Sequence, residues 1–185
     1  MAEIKIQNIV ASTTFAEKLD LDVIAQSIKE AEYEPEQFPG LIYRLKEPKT
    51  ATLLFTSGAA NCTGAKSLDD VKTNIKIISS KLEKIGIQVY KDHEIVIQNI
   101  VATSDLGGEL NLSEVAVALG LENVEYEPEQ FPGLVYRLDE PKVALLLFGS
   151  GKIVCAGAKK IEQIHSAVEK VTKELTLLKL IKTSK

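Results

Sequence analysis

Two hydrophobic periods alternate along this chain. Residues 4–12 and 94–103 alternate apolar and polar side chains in places, which predicts a strand at each. Leu68, Val71, Ile75, Ile78 and Leu82 recur at spacings of three and four, as do Ile161, Ile164, Val168, Val171 and Leu175. That spacing predicts two long amphipathic helices. Shorter helices are expected after Asp20 or Asp22, ahead of Val23, Ile24 and Ile28, and after Asn111 or Ser113, ahead of Val115, Val117 and Leu119. Three more strands are expected at 41–45, 50–56 and 61–65, divided by Pro39-Gly40, Glu47-Pro48 and Ser57-Gly58. Residues 33–37 are expected as a short edge strand, because Pro35 removes a ladder donor. Turns this short imply antiparallel neighbours.

One pattern breaks the rule for such sheets, which normally keep one wet face and therefore alternate. ATLLF at 51–55 and VALLLF at 143–148 are apolar at every position except Thr52. Both faces of these strands want cover, and two helices per repeat can cover only one. An apolar face left over usually marks an interaction site, with a two-layer sandwich or a homodimer as the alternatives.

The elements come twice. EYEPEQFPGLIYRL at 32–45 returns as EYEPEQFPGLVYRL at 125–138, differing only at Ile42 against Val135. QNIVAS at 7–12 returns as QNIVAT at 98–103, EPKTATLLFTSG at 47–58 as EPKVALLLFGSG at 140–151, and NCTGAK at 61–66 as VCAGAK at 154–159. The chain thus divides into a first repeat, 1–91, and a second, 92–185, expected as two similar halves related by a pseudo-twofold axis. Such a molecule suits a target that is itself nearly twofold symmetric, and duplex DNA is the commonest.

With 185 residues, 45% of them hydrophobic, the chain can bury a core. No apolar run approaches the roughly 20 residues of a membrane span, and no basic-then-apolar leader opens the chain, so neither membrane nor secretion is expected. The net charge of −4 conceals a split. Arg44, Lys46, Lys49 and Lys66 outnumber Glu47 within 38–66, and Arg137, Lys142, Lys152 and Lys159 outnumber Asp139 and Glu140 within 131–159. A basic surface on an acidic body is what a nucleic-acid face looks like. Cys62 and Cys155 occupy equivalent places and read as reduced, small strand residues; with only His93 and His165 besides, no metal site is expected.

The chain has five Phe and no Trp. Four of the five are repeat-equivalent: Phe38 and Phe131 beside Pro-Gly turns, Phe55 and Phe148 at the ends of the apolar strands. Together with QNIV, EYEPEQFPGL-YRL, EPK-x-x-LLF-x-SG and the CTGAK-type strand, they resemble the TATA-box-binding protein family, over nearly the whole chain and in both repeats. Being little more than the family's core, the chain is more similar to the archaeal form. The resemblance implies an α+β, pseudo-twofold saddle: a ten-stranded curved antiparallel sheet with four helices on its convex face, each repeat a half-saddle.

It also implies a function. The family binds the minor groove of TATA-box DNA and is itself a reference example of kinking by apolar wedges. Phe38 with Phe55, and Phe131 with Phe148, match the wedging pairs. Asn8 and Asn99 match asparagines that donate to adenine N3 and thymine O2. Val10, Leu53, Asn61 and Thr63 in the first repeat, and Val101, Leu146, Val154 and Ala156 in the second, match the binding face. Arg44, Lys49, Arg137, Lys142 and Lys152 match positions that reach phosphates. Glu127, Glu129 and Gln130 match the turn that docks transcription factor B, through which RNA polymerase is recruited; Glu34, Glu36 and Gln37 repeat that motif. Three positions depart from the family pattern: Ala59 for a usual Lys, Asn61 for a usual Val, and Ala156 for a usual Thr.

The expected protein is therefore a non-enzymatic initiation factor without cofactor. It would be cytoplasmic and nucleoid-associated in an archaeal cell, or nuclear if the source is eukaryotic, and could self-associate through its apolar face when free of DNA. An enzyme lacks support in the sequence: two isolated His, no catalytic pairing and no phosphate loop before a helix. A saddle-shaped module binding another macromolecule without TATA specificity remains the alternative.

Overall fold

A computed structural model describes residues 2–183. In chain order the elements are β1 (Lys5–Thr14), α1 (Leu21–Ser27), β2 (Ala31–Glu32), β3 (Leu41–Lys46), β4 (Lys49–Leu54), β5 (Ala59–Ala65) and α2 (Leu68–Lys84). They continue with β6 (Val96–Asp105), β7 (Glu109–Leu110), α3 (Leu112–Leu119), β8 (Val124–Glu125), β9 (Leu134–Asp139), β10 (Lys142–Leu147), β11 (Lys152–Ala158), α4 (Ile161–Leu177) and β12 (Ile181–Lys182). Among the described residues no helix is long and apolar enough to cross a membrane.

The chain forms two compact units. One is Asn8–Gln98; the other joins the segment up to Gln7 to the chain from Asn99 onwards. In the first, five antiparallel strands run in the order β2-β3-β4-β5-β1; in the second the order is β6-β11-β10-β9-β8. The start of β1 and the end of the β6 approach are held by hydrogen bonds inside these units. Ser104 Oγ donates to the Glu3 carbonyl at 3.1 Å in one, and Thr13 Oγ1 to the Glu94 carbonyl at 2.7 Å in the other.

Each sheet has one buried face. β1 and β6 share the same alternation, burying Ile9, Ala11 and Thr13 in one and Ile100, Ala102 and Ser104 in the other. β4 buries Thr50, Thr52 and Leu54, and β10 buries Val143, Leu145 and Leu147. The two long helices supply the cover. α2 packs on β5 and buries Val71, Ile75, Ile78 and Leu82; α4 packs on β10 and β11 and buries Ile164, Val168, Val171 and Leu175. Each such aliphatic side chain contributes roughly 1.5–3 kcal/mol on burial, so these stripes hold each sheet to its helix. Asp20, Ser67 and Asn111 cap α1, α2 and α3 through their side-chain oxygens, while Gln163 Oε1 accepts the Lys159 and Lys160 N–H groups ahead of α4.

The structure corrects one expected element. Residues 33–37 are not a strand: 35–37 form a turn, across which the Glu34 carbonyl accepts both Gln37 N at 2.9 Å and Phe38 N at 3.0 Å. The edge strand lies just before it, with Ala31 opposite Tyr43 and Glu32 opposite Ile42. Carbonyl capture by the turn removes the extended backbone that pairing needs. The small β7–β12 sheet, Leu110 opposite Ile181, lacks the length to show as a pattern in the sequence.

The units differ beneath their helices. Asn74, fully buried, accepts from Thr52 Oγ1 at 2.9 Å and donates to Thr50 Oγ1 at 2.7 Å. The equivalent positions in the other unit are Val143, Leu145 and Ala167, all apolar. The three positions change together because a buried polar group without a partner costs more than the hydrogen bond gains. Replacing Asn74→Ala alone should therefore destabilise by about 1–3 kcal/mol in urea unfolding. Adding Thr50→Val and Thr52→Leu should recover most of that loss; no recovery would mean the network does not act as a unit.

Candidate nucleic-acid interface

The opposite face of each sheet is left half-exposed. On β4 this face carries Ala51 and Leu53, followed by Phe55; on β10 it carries Ala144 and Leu146, followed by Phe148. Register extends the face across the strands, since directly opposite residues share a face. Ile42, Leu53, Asn61 and Ser12 form one row, and Val135, Leu146, Val154 and Thr103 form its counterpart. A second row places Arg44, Ala51 and Thr63 together, matched by Arg137, Ala144 and Ala156. Val10 and Val101 are half-buried on β1 and β6. Both strands thus send alternate residues to a helix-covered core and to a face that no part of their own unit covers.

Asn8 and Asn99 are fixed by a bulge. Between Ile9 and Ala11 the β1–β5 register slips by one residue, and the β11–β6 register slips likewise between Cys155 and Ala158. The slip takes an N–H out of the ladder. Gly64, at φ +91°, donates that N–H to Asn8 Oδ1 at 2.7 Å, and Gly157, at φ +93°, donates to Asn99 Oδ1 at 2.8 Å. Only an oxygen can accept a backbone N–H, so the amide orientation is settled and Nδ2 is the atom left to donate. In one unit Asn8 Nδ2 reaches Thr63 Oγ1 at 3.4 Å. In the other, Ala156 stands at the place of Thr63, and Asn99 Nδ2 has no partner among the described residues.

The four repeat-equivalent Phe form two edge-to-face pairs. Phe38 and Phe55 have centroids 6.1 Å apart at 67°, and Phe131 and Phe148 lie 6.0 Å apart at 71°. Phe131 is 40% exposed, whereas the fifth, Phe15, is wholly buried against His93. Glycine makes the pairs possible: a Cβ on Gly40 would sit 2.7 Å from Phe38 and 2.9 Å from Phe55, and one on Gly133 would sit 2.7 Å from Phe131 and 3.0 Å from Phe148.

Charge gathers at one end of these faces. Arg44, Lys49 and Thr63 line a shallow depression in one unit, as do Arg137, Lys142 and Ala156 in the other. Arg44 faces Glu32 at 4.0 Å and Arg137 faces Glu125 at 3.4 Å, both exposed pairs that contribute little and exchange readily. Lys49, Lys142 and Lys152 form no ion pair among the described residues. Ala59 and Lys152 occupy equivalent places, opposite Thr14 and Asp105, so one unit has a cation where the other has a methyl group. Glu127, Glu129 and Gln130 are exposed in a turn closed by the Glu127 carbonyl.

Ser12, Thr103, Ile42, Val135, Ala51 and Ala144 also occupy the open face and were not singled out in the sequence. Alternation from Arg44 and Leu53 would have found Ile42 and Ala51. Ser12 and Thr103, which accept from Gln98 Nε2 at 2.9 Å and Gln7 Nε2 at 3.0 Å, are placed only by register. Cys62 and Cys155 lie on the buried faces, and burial pushes both thiols up to about 11, so they remain neutral and poor nucleophiles. Among the described residues no cluster could hold a metal ion.

Three comparisons share this outline. The family model described as "Transcription factor TFIID (or TATA-binding protein, TBP)" matches residues 3–85 and 94–178. A TATA-box-binding protein of Picrophilus torridus is 64% identical over 98% of both chains, and one of Thermoplasma acidophilum is 64% identical over 97% of both. The solved Methanococcus jannaschii TBP superposes with a TM-score of 0.87 at 53% identity, covering 94% of this chain and 98% of that one. The α+β class, with ten main antiparallel strands and four helices, is thereby shown.

Gly133→Ala tests the ring geometry directly. The backbone there accepts alanine, so the fold should persist by circular dichroism while the Phe131–Phe148 contacts seen by NMR are displaced; unchanged ring contacts would refute the glycine constraint.

Proposed function

This chain belongs to the TATA-box-binding protein family, and we propose that it reads promoter DNA through the open face of each unit, wedging its Phe pairs into the minor groove. As a member it is a transcription initiation factor that binds TATA-box DNA, not an enzyme. The observation that carries the finer reading is a half-exposed apolar face ending in a Phe pair held by glycine, present once in each unit.

The chemistry follows from the minor groove. An A·T floor presents adenine N3 and thymine O2 acceptors and no donor. Asn8 and Asn99 supply Nδ2 donors, and the Leu53 and Leu146 rows supply apolar surface that a guanine amino group would disturb. Rings inserted at a base step unstack it at about a few kcal/mol, least at flexible pyrimidine–purine steps, so deformability selects sequence along with contact. Arg44, Lys49, Arg137, Lys142 and Lys152 then engage phosphates, the arginines exchanging their carboxylate partners.

The exposed turn at Glu127, Glu129 and Gln130 is the proposed dock for transcription factor B, through which RNA polymerase is recruited. Family precedent, not the motif, favours it over Glu34, Glu36 and Gln37. Association with the nucleoid follows from DNA binding. In the absence of DNA, the same apolar faces would favour self-association.

Fluorescence transfer between the ends of a short TATA duplex, with a G·C-scrambled duplex as control, tests the reading. Transfer should rise on the TATA duplex alone, and Phe131→Ala with Phe148→Ala should abolish the rise while helicity is kept; no rise with folded wild-type protein would overturn it. Removing one phosphate contact, Lys152→Ala, should weaken binding to all sequences alike and lower the salt slope by about 1, and Ala59→Lys should raise it by about 1. Unchanged slopes would take these two positions out of the phosphate set.

A further inference from the structure

The units also differ on the open face at position 61. In one unit the row runs Leu53, Asn61, Ser12; in the other it runs Leu146, Val154, Thr103, in the same register. Asn61 and Val154 are both half-buried, so neither belongs to a core and both meet whatever covers the face. Asn8, also on this face, has its oxygen taken by Gly64 and its amino group directed to Thr63. Asn61 makes no side-chain hydrogen bond among the described residues. Its amide is therefore available with both a donor and an acceptor.

Against a minor-groove floor these two capacities matter unequally. At an A·T pair both side chains are satisfactory: valine by packing, asparagine by donating Nδ2 to N3 or O2. At a G·C pair the guanine amino group enters the groove as a donor. Valine leaves that donor desolvated and unpartnered, which is costly, whereas Asn61 Oδ1 can accept it. On the DNA-binding reading above, we infer that Asn61 makes the half-site under the Asn8–Gln98 unit tolerant of a G·C pair that Val154 makes the other half-site exclude. One G·C pair then sets the direction in which the protein lies on an otherwise self-complementary element.

The test needs no knowledge of orientation. Affinities are measured for a self-complementary A·T element, for the same element with one G·C pair introduced in turn at each position of one half, and for the version with the mirror pair changed as well. At the position that Asn61 faces, wild type should lose no more than about threefold for the single change, because the protein turns round, and about tenfold or more for the double change. Asn61→Val should raise the single-change loss to about tenfold, and Val154→Asn should bring the double-change loss down to about threefold. Helicity and melting of both variants are checked beside wild type. If the double loss is everywhere the product of two equal single losses, and neither variant alters the pattern, the inference is overturned. If wild type fails to bind even the A·T element, the DNA-binding reading itself falls, and the inference with it.

Discussion

Helices can cover a sheet on one side only, and that constraint organises each unit. β4 and β10 send Leu54, Leu145 and Leu147 into a core closed by α2 and α4. Their alternate residues, Leu53 and Leu146 among them, stay half-exposed in rows that run across neighbouring strands. A protein that covered this second face itself would be better buried but would have nothing to offer a groove. The open face is thus stability forgone where contact with a ligand supplies it.

The side chains around that face are held by backbone features, not by each other's bulk. The bulges at Gly64 and Gly157 free one N–H apiece, and the asparagine that satisfies it is thereby fixed with Nδ2 left to donate. Gly40 and Gly133 leave room for the edge-to-face Phe pairs. An aromatic pair in that geometry contributes about 0.5–1.5 kcal/mol beyond its area, enough to bias the rings and too little to lock them.

The two units are near-copies in sequence and differ in two sets of positions, one coupled and one not. Under the helices, Thr50, Thr52 and Asn74 stand against Val143, Leu145 and Ala167, a full polar network against none. On the open face, Ala59, Asn61 and Thr63 stand against Lys152, Val154 and Ala156. The buried set changes only together because each member is another's partner. The exposed set is free to drift one residue at a time, and so it is where the units can acquire different preferences.

Much of this was legible in the chain itself. The tandem copy, the long helices at 68–82 and 161–175, the doubly apolar strands and the paired Phe all rest on periodicity and local repetition, which are properties of contiguous residues. The edge strand lies at Ala31–Glu32 and not at 33–37, because the Glu34 carbonyl closes a turn there through Gln37 and Phe38. The orientation of the Asn8 amide, the row joining Leu53 to Ser12, the Arg44–Glu32 pair and the passage of the first residues into the second unit were not legible at all. Each depends on register between strands far apart in sequence. Periodicity assigns a side chain to a face, but only the hydrogen-bond ladder decides which residue of another strand stands beside it.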